Sequence, residues 1–184
     1  MISQKSKYAL RALLILAREN GNGPVLISDI ARRGGIPKKY LEQILLALKN
    51  TGILTSRKGR GGGYALGRSP EAISFADVLR LLDGPLAPVP CVSLTAHRKC
   101  DDCEDEETCE IRKVMWAVRE QTARVLEGAS LATALRDRGT GRAARPASAS
   151  RTSRSRRSTD RSVNSSKRFA RSLAGKRTSR RSSR

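Results

Sequence analysis

Four cysteines, Cys91, Cys100, Cys103 and Cys109, are all that the chain has, and they fall within one short run, CVSLTAHRKCDDCEDEETC. Eight, two and five residues separate them. Four thiolates suit a [2Fe-2S] or [4Fe-4S] iron-sulfur cluster and equally suit tetrahedral zinc. Structural zinc sites usually use two close cysteine pairs, and only Cys100 and Cys103 form one here, so the spacing leaves the metal open. Metal-free thiol switching is the third reading. His97, the only histidine, lies inside the run and would ligate only if one cysteine did not; beside Arg98 and Lys99 its ordinary role is solvation.

The surrounding acids, Asp101, Asp102, Glu104, Asp105, Glu106, Glu107 and Glu110, sharpen the chemistry. Four thiolates already outweigh the formal charge of an oxidised two-iron core, so added carboxylates disfavour an extra electron and make the site easy to oxidise. They also repel phosphate, which places the run away from any nucleic acid. Solubility of an exposed loop is their plainer role. An enzyme is not expected. The Cys100–Cys103 pair lacks a strand-helix-strand setting and sits among groups that raise thiol pKa, there is no Ser-His-Asp set, and nothing indicates a small-molecule substrate.

The elements around this run must position it. Pro85, Pro88 and Pro90 make a stiff connector into it. After it, Ile111, Val114, Met115, Val118, Thr122, Val125 and Leu126 recur three and four apart, one apolar stripe on a helix of about five turns. Few other elements could cover that stripe, so it predicts a homodimer interface. Upstream, a helix runs from Ser3 to Asn20, and Ser28 is the expected N-cap of a short second helix that Gly34-Gly35 ends. Pro37 is then expected at the first helical position of KKYLEQILLALKN, whose buried stripe is Leu41, Ile44, Leu45 and Leu48. This is the form of a helix-turn-helix with Lys38, Lys39 and Tyr40 at its exposed leading end. ILTSR and YALGR flank KGRGGG as a hairpin wing, where Arg57, Lys58 and Arg60 supply charge beside backbone-exposing glycines. A nucleotide cradle would need a helix directly after those glycines, and a strand follows. Ser74 and Asp77 form a capping box for a fourth helix, FADVLRLLDG.

Charge divides the chain. Of the net +20, residues 141 to 184 carry +14, from fifteen Lys or Arg against Asp160 alone, with serine in most of the gaps. Such a tail has too little apolar surface to order itself and is expected to be a disordered arm that meets nucleic-acid phosphates without sequence preference. No secretory signal or membrane span is visible, because Arg11 breaks the apolar stretch YALRALLILA. The expected location is the cytoplasm, where thiols stay reduced.

The segments SQKSKYALRALLILA, ISDIARRGGIPKKYLEQILLALKNTGIL and RKGRGGGYALGR, followed by loop cysteines and a long helix, resemble the Rrf-two (Rrf2) family of bacterial regulators over about residues 1 to 135. The resemblance implies a mainly α winged helix-turn-helix with a small β-hairpin wing, a long C-terminal dimerisation helix and a homodimer on a palindromic double-stranded DNA operator. It implies that Lys38, Lys39, Tyr40, Glu42 and Gln43 lie on the recognition helix, and Lys58, Arg60 and Gly61 on the wing. Glu42 could accept from cytosine N4 or pair with Lys38 or Lys39. The resemblance also implies an iron-sulfur cluster on the loop cysteines. The expected organisation is 1–84 DNA-binding domain, 85–110 sensing loop, 111–138 dimerisation region and 139–184 basic tail. Arg112 stands where a histidine ligand would be sought.

Overall fold

Hydroxyl and carbonyl caps decide where the helices begin. In the computed structural model, which describes residues 2–137, the Ser3 hydroxyl accepts from the Ser6 N–H at 3.1 Å and opens α1, Gln4–Arg18. Ser3 also donates from its N–H and hydroxyl to Asp83, tying the start of α1 to the end of the helix that closes at Asp83. The second helix, α2, spans Ile27–Gly34 and starts before Ser28, because the Leu26 carbonyl already accepts from Asp29 and Ile30 at 3.0 and 3.1 Å. Ser28 is therefore a helical residue and not the cap. Gly35 ends α2 in the left-handed region at φ 59°, a conformation that a side chain would strain.

Pro37 sits one position earlier than expected: it is the N-cap of α3, Lys38–Asn50, with ψ at 125°. The hairpin follows at once, β1 Leu54–Arg57 against β2 Gly63–Leu66, antiparallel, with Leu54 opposite Leu66 and Arg57 opposite Gly63. Val25 makes a further antiparallel bridge to Tyr64, exchanging hydrogen bonds of 2.8 and 2.9 Å. The Ser74–Asp77 capping box forms as expected and starts α4, Phe75–Asp83.

Packing follows the 3.6-residue period. Ala9, Ala12, Leu13 and Leu16 of α1 meet Ile30 of α2 and Leu41, Ile44, Leu45 and Leu48 of α3 in one core. Truncating one of those leucines to alanine costs about 2–5 kcal/mol. Short 3-10 turns occupy Pro70–Ala72 and Pro90–Val92.

The long helix, α5, spans Glu110–Gly128. Residues 129–137, expected in the same region, instead return to the winged domain. Phe75 N–H donates to Ala129 at 2.8 Å, Leu131 N–H to Ile73 at 3.0 Å, and α6, Leu131–Asp137, buries Leu131 against the common core. Among the described residues no helix is long and apolar enough to cross a membrane. The expected basic arm, 139–184, and residue 138 lie outside the described residues.

Candidate nucleic-acid interface and thiol loop

The buried stripe of α3 leaves the opposite face open. Lys38, Lys39, Glu42 and Gln43 are all exposed there, and Leu46, an apolar residue, is 55% exposed on the same face. Leu46 escaped the sequence reading, although its misfit to the Leu41-Ile44-Leu45-Leu48 spacing is a usable signal. Tyr40 differs from its neighbours: its half-buried ring packs edge-on against Tyr8 at 5.9 Å, so it props the helix against the core. Among the described residues, neither Glu42 nor Lys38 or Lys39 has an ion-pair partner. The salt bridge considered for Glu42 is not formed, and its carboxylate stays available.

At the wing, Arg57, Lys58, Arg60 and Gly61 are exposed. The tip is closed by a Gly62 N–H bond to the Gly59 carbonyl at 2.9 Å, and a Cβ on Gly62 would lie 2.3 Å from the Arg57 carbonyl oxygen. Only glycine permits that turn. Other arginines are committed to the scaffold: Arg11 donates to Gly34 O at 2.8 Å and Arg68 to Thr51 O at 3.0 Å, fastening the helix-turn-helix and the hairpin exit.

In the thiol loop Cys91 is buried, Cys103 and Cys109 are half-buried and Cys100 is exposed. The Cys103 Sγ donates to the Asp105 carbonyl at 3.3 Å, and Cys100 lies within electrostatic reach of Cys91 and Cys109, as Cys103 does of Cys109 and Cys100. Among the described residues no three His, Cys, Asp or Glu side chains gather closely enough to hold a metal ion. The Cys100 thiol is pushed up first by its hydrogen bond to Cys91, and that of Cys103 first by desolvation. Carboxylates contribute little to either shift: only Glu106 acts on Cys100, as the smallest cause.

Glu106 is also the one acid of the run that is not exposed. Its Oε2 lies 3.1 Å from His97 Nε2, and its Oε1 is buried without a hydrogen-bond partner. His97 is thus paired with Glu106, not merely solvated. Cys109 caps α5, its Sγ accepting from the Arg112 N–H at 3.4 Å.

Two faces of α5 divide the work. Arg112, Trp116, Arg119, Ala123 and Glu127 recur three and four apart on the face turned to their own protomer. Arg112 Nε donates to Cys91 O at 3.4 Å, Trp116 lies under the guanidinium groups of Arg112 and Arg119, Ala123 is buried, and Glu127 pairs with Arg80. The predicted dimer stripe lies on another face. Ile111 is 70% exposed, Val114 58%, Val118 45% and Val125 55%, with Thr122 exposed and Met115 and Leu126 half-buried. Val118, Val125 and Leu126 also line an apolar groove of about 670 Å³ with Leu79, Pro85 and Leu86.

A helix-turn-helix with a glycine wing and an appended long helix defines a winged-helix DNA-binding regulator, and comparison with known proteins makes the class specific. The model of the family Rrf2, "Iron-dependent Transcriptional regulator", matches residues 2–137. The chain belongs to the Rrf2 family of DNA-binding transcriptional regulators, which are not enzymes. It is 50% identical over 117 residues to an rrf2-like HTH-type transcriptional regulator of Rhodobacter capsulatus, covering 62% of this chain and 78% of that protein. The structure of CymR, the global cysteine regulator of B. subtilis, matches with TM-score 0.60 and 32% identity, covering 72% of this chain and 93% of that one. IscR of T. potens matches with TM-score 0.60 and 29% identity over 79% and 93%.

Proposed function

We propose that this regulator binds a palindromic operator as a homodimer. In this reading Lys38, Lys39, Glu42 and Gln43 face the bases and phosphates, Tyr40 supports the reading helix, and Arg57, Lys58, Arg60 and Gly61 track the backbone. The exposed valines of α5 seal the dimer. The state of the Cys91–Cys109 loop sets operator affinity. The observation that carries the regulatory part is the position of the thiols: they run from Cys91 in the Pro90–Val92 turn to Cys109 at the cap of the long helix.

An iron-sulfur cluster held by Cys91, Cys100, Cys103 and Cys109 is the favoured form. The donor set suits it by type, four free thiols in one loop; a bound cluster would supply one-electron chemistry and oxidative lability. Likeness to an IscR supports this form. The same four thiols would serve structural zinc. Free thiols close enough to raise one another's pKa, with likeness to a cysteine regulator, favour a metal-free thiol switch as the second reading.

The deciding experiment purifies the full chain without oxygen, records its visible spectrum and its iron, sulfide and zinc content, and titrates loaded and metal-free protein against a duplex selected from random DNA. A difference in affinity of about 5–150-fold is expected. Equal affinities at one salt concentration refute regulation through the loop, and a colourless zinc protein refutes the cluster.

A further inference from the structure

We propose that Arg112 is a positioning residue that ties the thiol loop to the long helix, so that a change at the cysteines is felt at Trp116. One residue reaches the entry, the interior and the exit of the loop. Its Nε donates to the Cys91 carbonyl at 3.4 Å, across 21 positions of sequence, and the same Nε stands 3.9 Å from Glu106 Oε2. Its backbone N–H donates to Cys109 Sγ at 3.4 Å. Its guanidinium carbon then lies 5.5 Å from the centre of the Trp116 ring, which Arg119 approaches at 5.7 Å.

A planar, delocalised guanidinium can donate from its edge to a carbonyl and a carboxylate while its face rests on an aromatic ring. An event that moves the Cys91 carbonyl or Glu106 must carry the guanidinium with it or break its hold, and one that moves Cys109 shifts the backbone of Arg112 itself. Either outcome alters what lies on the indole. The stack runs along the face of α5 turned to its own protomer, next to the exposed apolar stripe, so it joins the loop to the element that would bear the partner subunit. The inference rests on the loop-sensing reading for its biological meaning, but its physical content can be tested without DNA.

Trp116 is the only tryptophan, so its emission reports this stack. The reduced full chain is titrated with diamide, which takes two electrons and two protons from a thiol pair as it becomes the hydrazine and leaves a disulfide. Remaining thiols are counted alongside the emission. In the wild-type chain the emission shifts as thiols are consumed; in R112A the thiols are consumed equally and the shift is lost. R112Q keeps a side-chain donor without the cation and loses most of the shift; it replaces R112A if circular dichroism shows that variant unfolded. A full wild-type shift in both variants overturns the proposal, and so does a wild-type emission that stays constant while thiols disappear. Operator affinity is measured on the same samples. An Arg112-dependent emission change without any change in affinity would leave the tie standing and remove the regulatory reading of the loop.

Discussion

Lys39 and Gln43 lie one turn apart on the open face of α3, yet their removal should look different. Lys39→Ala is expected to weaken binding to every duplex about equally and to lower the slope of log affinity against log salt by about 1, as for a phosphate contact. Gln43→Ala should cost about 1–3 kcal/mol on the preferred operator and relax one base position, as for a base contact. Anisotropy titrations of operator and scrambled duplex at several salt concentrations separate the two patterns. The thiols make a second residue-level prediction. In the metal-free chain Cys100 is held above the ordinary range first by its bond to Cys91, and Cys103 first by desolvation. The fold therefore favours the protonated thiols. That contribution is complete below the ordinary thiol pKa of about 8.5 and is lost as pH rises through the higher folded values. Alkylation by iodoacetamide, followed by mass spectrometry, should show midpoints for both residues above those of the urea-unfolded chain; midpoints at or below that control contradict the upward shifts.

Among the elements, the wing has the sharpest steric requirement. Gly62→Ala puts a Cβ 2.3 Å from Arg57 O and 2.8 Å from Gly59 O, so the tip must open. The expected cost is about 1–3 kcal/mol in urea unfolding, with a loss of operator affinity that remains after correction for the fraction folded. Local chemistry made much of this architecture readable. The Ser74–Asp77 box and the period of α3 are written within a few residues, and the structure reproduces both. The N-terminus of α2 was not legible, since Leu26 and not Ser28 supplies the first accepting carbonyl. Neither was the Val25–Tyr64 bridge, which joins residues far apart in sequence. α6 is too short for a period to show, and what holds it is distant: Leu131 bonds to Ile73 and packs beside α1. In the thiol loop, spacing marked the four donors, but the burial of Cys91 and the inward turn of Glu106 depend on loop conformation that no spacing encodes.

For the whole molecule, the exposure of the α5 stripe sets the assembly prediction. Val118 and Val125 are 45% and 55% exposed within one protomer, so V118D with V125D should leave the helical circular dichroism unchanged while sedimentation reports a monomer and operator affinity collapses. The basic arm offers a separate handle. Deleting residues 141–184 removes fifteen Lys or Arg and should cut non-specific affinity and the salt slope while the operator preference survives; loss of all binding would point to a compaction protein instead. The way α5 ends has one more consequence. The two backbone bonds that fasten Ala129 and Leu131 to the winged domain act as a fulcrum, and the 19 residues of α5 form a lever of roughly 28 Å at 1.5 Å per residue. With the far end pinned, a displacement of ~2 Å at the Cys109 end becomes a tilt of about 4° instead of a slide along the axis. A two-fold assembly would apply that tilt from both sides, so the angle between its halves would open or close by about twice as much.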